Sequence, residues 1–446
     1  MQENILNGPK CFFRQEHKAV LFFAEDQVDR TSRYVITILL VSALCVFVYP
    51  SLQVITGPVL TVCFVYLYFR GYQAFVASII IVANDSLGCI FMGNIAFPYL
   101  LFGLVSYSIL KTHLKIEIRK SQLIAGFIMM LTLLQLYSFH IINEKSILYS
   151  VTFIVAAGYN MKKDEDVEIF FKGVAITVLL ISLHTCITGG VEFYELNEYS
   201  TAFLRKGVLG VGIGDSNYST LLLNFGAACA LFDRNFKWYT KLGITILVLA
   251  AMMVTLSTSG LIGFLLLLIG FVLVKRESIP SKVWKVILLL LGLALLFNIY
   301  INLPDTMQNE TINAYIERML EKIGFLQSGD MSAFTTNRSS IADQKLDYFK
   351  NGQGVMKQLF GFNSLFADGS NAIPHNTYID LLLQIGLVGT AMTLGYIALA
   401  SIRAWKDVKQ NRRDLLLKLI IMYYFFNLSI YQGSTFALAY LVLIIL

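Results

Sequence analysis

Three clusters of polar residues sit where apolar runs begin or end, and each has the residue types for chemistry on a charged, hydroxylated substrate. In AFLRKGVLGVGIGDSNYSTLLL, residues 202–223, Arg205 and Lys206 precede Gly207, Gly210, Gly212 and Gly214, and Asp215, Ser216 and Asn217 then lead into a predicted helix. Two cations beside exposed backbone N–H groups at a helix start can hold a phosphate, although glycine-rich turns also precede helices with no ligand. In TTNRSSIADQ, residues 335–344, Arg338 stands just ahead of a helix capped at Ser340, where guanidinium and helix terminus both favour an anion; the plainer reading is a surface arginine. In Pro374-His375-Asn376 a histidine, whose ordinary pKa lies nearest neutrality, can take a proton if it is positioned to do so. A lone interfacial histidine is more commonly a packing residue. Convergence of Arg205, Arg338 and His375 on one outer face is what would make the three a site.

Other polar residues carry less. Asp164-Glu165-Asp166 resembles a metal-holding acidic triplet but lies beside Lys162 and Lys163, as a solvated charge run does. Asn84 and Asp85, and separately His184, interrupt apolar runs; an acid there marks an ion path or pairs within the bundle. No zinc-type pairing and no P-loop occurs. The six cysteines show no metal spacing, five fall in or near apolar runs, and disulfides are not expected.

The elements that must position these residues are membrane helices. The chain has 446 residues, 56% hydrophobic and 14% charged, against about 25% charged in soluble proteins. Apolar runs recur near 34–50, 52–69, 73–90, 94–110, 121–140, 146–161, 170–190, 217–233, 242–256, 259–274, 284–303, 376–402 and 415–432, with a short run at 435–446. The expected fold is an all-α polytopic membrane protein of about 12–14 transmembrane helices, each span needing roughly 20 apolar residues. The division is a cytoplasmic tail at 1–33, a bundle over 34–303 with an outer loop at 191–216, a large extracytoplasmic loop at 304–375, and C-terminal helices over 376–446. The tail is polar and mixed in charge, so the first apolar run is expected to act as its own insertion signal. With that tail in the cytoplasm, 26 of the 35 Lys and Arg residues fall on the cytoplasmic side and nine outside. The net charge of +6 therefore reports membrane anchoring and does not argue for nucleic acid. Chemistry is expected at the outer face. Within the outer loop, TINAYIERMLEKIGF and SSIADQKLDYF have helical apolar spacing, with Thr311 and Ser340 placed to cap; such helices lie on a membrane surface or pack on the bundle.

PHNTYIDLLLQIGLVG resembles the signature of the O-antigen ligase and O-antigen polymerase superfamily, a His-Asn followed by an apolar run ending in Gly-Leu-hydrophobic-Gly. RKGVLGVGIGDSNYST is similar to that family's arginine, glycine-rich turn and Asp-x-Asn entering a helix. TTNRSSIADQKLDYF followed by QLFGFN is similar to its arginine-led loop helix and glycine turn. TLSTSGLIGF, residues 255–264, resembles its short turn between two spans, with Thr258 where arginine is frequent. The resemblance covers roughly the C-terminal 250 residues. It implies a C-type glycosyltransferase-like enzyme of the bacterial cytoplasmic membrane, acting on saccharides carried by undecaprenyl diphosphate at the extracytoplasmic face. His375 and Arg338 would be catalytic; Arg205, Lys206, Asp215, Asn217 and Asn376 would bind diphosphate and sugar. No cofactor or metal is implied. Partners would be the lipid-linked oligosaccharide and the bilayer, with a chain-length regulator as a further candidate.

Polymerisation of repeat units into O-antigen or capsule is the favoured activity, on the divergent Tyr- and Phe-rich bundle and the departure at Thr258. Ligation of finished polysaccharide to lipid A core or another acceptor is the alternative. A flippase or transporter stays open on Asn84, Asp85 and His184, but predicts internal repeats that are not seen and leaves the outer loop without a role.

Overall fold

The structure, a computed structural model, describes residues 19–20, 23–24, 29–82, 97–111, 164–189, 191–195, 203–207, 216–233, 236–255, 257–274, 277–302, 310–334, 338–361 and 376–406. Its helices are α1 (Arg30–Val48), α2 (Gln53–Phe69), α3 (Gln73–Val82), α4 (Phe97–Lys111), α5 (Asp164–Thr188), α6 (Ser216–Phe232), α7 (Trp238–Val254), α8 (Thr258–Val274), α9 (Ile279–Ile301), α10 (Glu310–Ser328), α11 (Met331–Phe334), α12 (Arg338–Asp347), α13 (Val355–Phe360) and α14 (Thr377–Lys406). Helices dominate because long Leu, Ile, Val and Phe runs in lipid must satisfy every backbone group internally. Among the described residues α5 (from Asp166) and α9 are long and apolar enough to cross a membrane unaided, and several shorter apolar helices accompany them. The expected spans over 121–140, 146–161, 415–432 and 435–446, and Asn84 and Asp85, lie outside the described residues.

Small residues set the close crossings. A Cβ at Gly173 of α5 would overlap Ser78 of α3; one at Gly226 of α6 would overlap Val178 of α5; one at Gly260 of α8 would overlap Thr220 of α6. Without a hydrophobic driving force between helices in lipid, such approach gains packing that larger residues forbid. Around these crossings Phe64, Tyr68, Phe75, Phe170 and Leu223 are buried in one continuous core. Asn224 of α6, itself buried, donates through Nδ2 to the Gly260 carbonyl at 3.1 Å, adding a hydrogen bond at the α6–α8 crossing.

Several boundaries depart from expectation. The acidic triplet at 164–166 is the first turn of α5, not a loop, where negative charge favours the helix terminus. α10 begins at Glu310 and α12 at Arg338, so Thr311 and Ser340 lie inside helices and do not cap them. A two-residue pairing, β1 (Ala19–Val20) with β2 (Phe23–Ala24), lies in the N-terminal segment, and β3 (Val191–Glu195) pairs antiparallel with β4 (Phe203–Gly207), which alters the all-helical expectation locally. The run expected as one span from 376 is interrupted in α14 at Gly386, whose φ of 69° and ψ of −174° are not helical.

Candidate functional site

The C-terminal half of the site is built on two packed elements. α12 starts with Arg338, half-buried, and continues through a π-turn at Tyr348–Gly352. A positive residue in a helix's first turn opposes the helix dipole, so this position adds a guanidinium to an end that already attracts anions. α12 packs against α14, and Phe349 and Leu383 form the small core between them, flanked by Tyr348, Ile379 and Leu382.

Asn376 caps α14. The Tyr378 and Ile379 amides donate to its Oδ1 at 3.0 and 3.4 Å, and the Asp380 amide donates to its carbonyl at 2.9 Å. Asn is favoured here because its short side chain satisfies first-turn amides that have no helical partner. With Oδ1 committed to the cap, a ligand at Asn376 would be met through its Nδ2–H donors. This role in folding was not read from the sequence. His375, the adjoining residue, lies outside the described residues, as does Asp215.

The turn after α13 and the break in α14 fit into each other. Gly361 has φ +82° and Gly386 φ +69°; a Cβ on Gly361 would overlap the Gln384 carbonyl, and one on Gly386 would overlap the Leu359 carbonyl and stand 2.5 Å from the Gly361 nitrogen. Only glycine allows two backbones this close in these conformations. The glycine of QLFGFN and the first glycine of QIGLVG are thereby one junction, which ties the turn after α13 to the helix that Asn376 starts.

The other half of the site lies on the hairpin and α6. In β4, Arg205 is opposite Phe193 and Lys206 opposite Glu192. β4 packs on α6, whose second residue is Asn217. The candidate residues thus fall on two pairs of packed elements: Arg205 and Lys206 on β4 with Asn217 on α6, and Arg338 on α12 with Asn376 at the start of α14. Between spans α7 and α8, the turn singled out for Thr258 is organised by buried Ser257. The Gly260 amide donates to its Oγ at 3.1 Å, which caps α8, and Thr258 is the first residue of that helix.

Sequence reasoning missed three buried polar residues on the helices that begin at Arg338 and Thr377: Lys345 (1% exposed), Asp380 (0%) and Gln384 (1%). Gln384 Nε2 donates to Asp380 Oδ1 at 2.9 Å. The available signal was an acid inside the otherwise apolar run 377–389.

A family model described as O-antigen ligase matches residues 243–394, from α7 into α14. No curated protein and no solved structure matches the chain. The matched segment contains Thr258, Arg338, His375 and Asn376; Arg205, Lys206, Asp215 and Asn217 precede it.

Proposed function

We propose, on the premise that residues 243–394 place this membrane protein in the O-antigen ligase and polymerase superfamily, that it polymerises saccharide repeat units carried on undecaprenyl diphosphate. The reaction takes place at the outer face of the bacterial cytoplasmic membrane, the N-terminus being cytoplasmic, and yields O-antigen or capsule. The observation that carries this reading is the packing, inside the matched segment, of the helix that begins with Arg338 against the helix that follows His375-Asn376.

The bond that breaks joins the sugar's C1 to the diphosphate oxygen; the bond that forms joins C1 to an acceptor sugar hydroxyl oxygen. Charge grows on the departing diphosphate, and Arg338, with Arg205 and Lys206, stabilises it through charge-assisted contacts. His375 takes the hydroxyl proton. Asn376 holds the acceptor or the imidazole through Nδ2, while Asp215 and Asn217 bind sugar hydroxyls. Attack opposite the leaving group inverts the anomeric centre. Arginines take over the charge neutralisation that a divalent ion performs elsewhere, so transfer is expected to survive a chelator.

The test uses purified protein in liposomes with the lipid-diphosphate-linked repeat unit from its host membranes, with products resolved on a gel. A ladder from wild type that is lost in His375→Ala supports polymerisation with His375 as base, since removing a general base costs about 10²–10⁴ in rate. Full activity in that variant removes His375 from the mechanism. Transfer only after lipid A core is added assigns the ligase reaction instead.

A further inference from the structure

Two oppositely charged side chains are buried in two helices that pack on each other. Lys345 is the one fully buried residue of α12, and Asp380 is buried in α14, the helix on which α12 packs. Lys345 lies four residues before Phe349, hence on the same helix face, and Asp380 lies three residues before Leu383. Phe349 and Leu383 are the buried pair of the small core joining the two elements. The Gln384 amide fixes the Asp380 carboxylate from one turn further on, at 2.9 Å.

Burying either charge uncompensated is expensive, whereas opposite charges at one interface offset each other's loss of hydration. Direct contact is not required, because at the low effective dielectric of an interior, charges several ångströms apart still couple.

We infer that Lys345 and Asp380 act as a buried charge couple that seats α12 on α14 and so sets the placement of Arg338 relative to His375-Asn376. This rests on the proposed transfer reaction for its functional part. Lys345 and Asp380 are positioning residues: both act through the groups at the starts of their helices. A charge couple also fixes the register of the two elements in a way that the apolar contact of Phe349 and Leu383 does not, since apolar surfaces slide at little cost.

The experiment is a double-substitution cycle in the full-length protein with Lys345→Met, Asp380→Asn and both together. Thermal unfolding is followed by the loss of the monodisperse peak on size exclusion after heating. Each single variant is expected to unfold several degrees below wild type, or to fail to yield folded protein. The double variant is expected to recover much of that loss, because no lone charge is left buried. Losses that simply add, including a double variant no better than the worse single one, overturn the couple. The folded double variant is then assayed for transfer with the host lipid-linked repeat unit. Positioning predicts a kcat lowered by about tenfold with KM for the donor nearly unchanged, the pattern of an interaction realised only in the transition state. Wild-type kcat in that variant overturns the positioning role. Should wild-type protein transfer nothing, the catalytic reading fails while the thermal cycle still decides the couple.

Discussion

Replacing Gly386 by alanine is the sharpest test of how the outer loop is attached. Its φ of 69° and ψ of −174° lie in a region occupied essentially by glycine alone, where another residue costs of order 1–3 kcal/mol. The added Cβ would also meet the Leu359 carbonyl and the Gly361 nitrogen, both backbone atoms that cannot rotate away. Overpacking of this kind adds about 1–3 kcal/mol, so the total is roughly 2–6 kcal/mol. The same helix supplies the control: a Cβ on Gly395 would meet nothing within 4 Å, and alanine there should be neutral or gain up to about 1 kcal/mol in helix propensity. Thermal unfolding in detergent should therefore show Gly386→Ala several degrees below wild type and Gly395→Ala at or above it. Equal midpoints for the two variants would refute the junction between Gly361 and Gly386.

Three other outcomes follow from local geometry. Asn376→Ala should lose about 1 kcal/mol of cap energy, while Asn376→Asp keeps the cap and loses the Nδ2 donors, so thermal stability near wild type with reduced transfer in the aspartate variant would separate the two roles. Gly226→Val should force α5 and α6 apart at Val178, seen as lower yield of monodisperse protein, whereas Gly243→Val, open on that criterion, should not. Asp29 accepts from the Ser32 hydroxyl and from the Ser32 and Thr31 amides, which lowers its pKa below the ordinary 3.8. Its contribution to α1 is accordingly present above that value and lost as pH falls through the lowered one; the stability difference between wild type and Asp29→Ala, compared at pH 6 and at pH 3, should shrink on acidification.

The helical frame was legible because long apolar runs leave the backbone few options, and α2, α6, α8 and α9 begin and end within a few residues of the expected runs. Arg338 could be placed at a helix start from sequence, although the cap was assigned two residues late: Ser340 and Asp343 have capping-box spacing, but the helix already runs from Arg338. Spacing along one strand of sequence cannot reveal what packing between distant segments decides. The hairpin at 191–207 pairs residues across an intervening stretch and carries no strong alternation. The union of Gly361 with Gly386 joins two motifs 25 residues apart, and each glycine by itself reads only as a turn. Lys345 reads as a solvated residue on a polar helix, yet it is fully buried.

α9 stands apart from the tightly crossed helices in how its surface is used. Trp284, Leu288, Leu291, Leu295 and Ile299 are all exposed, and its outer end is tied to α10 by the Tyr300 hydroxyl donating to Asn313 Oδ1 at 3.1 Å. Its 23 residues extend about 35 Å, slightly more than a hydrocarbon core of about 30 Å, so it is long enough to span with some tilt. A thinner bilayer would favour a greater tilt of this helix, and α10, hydrogen-bonded to its end through Tyr300 and Asn313, would follow it.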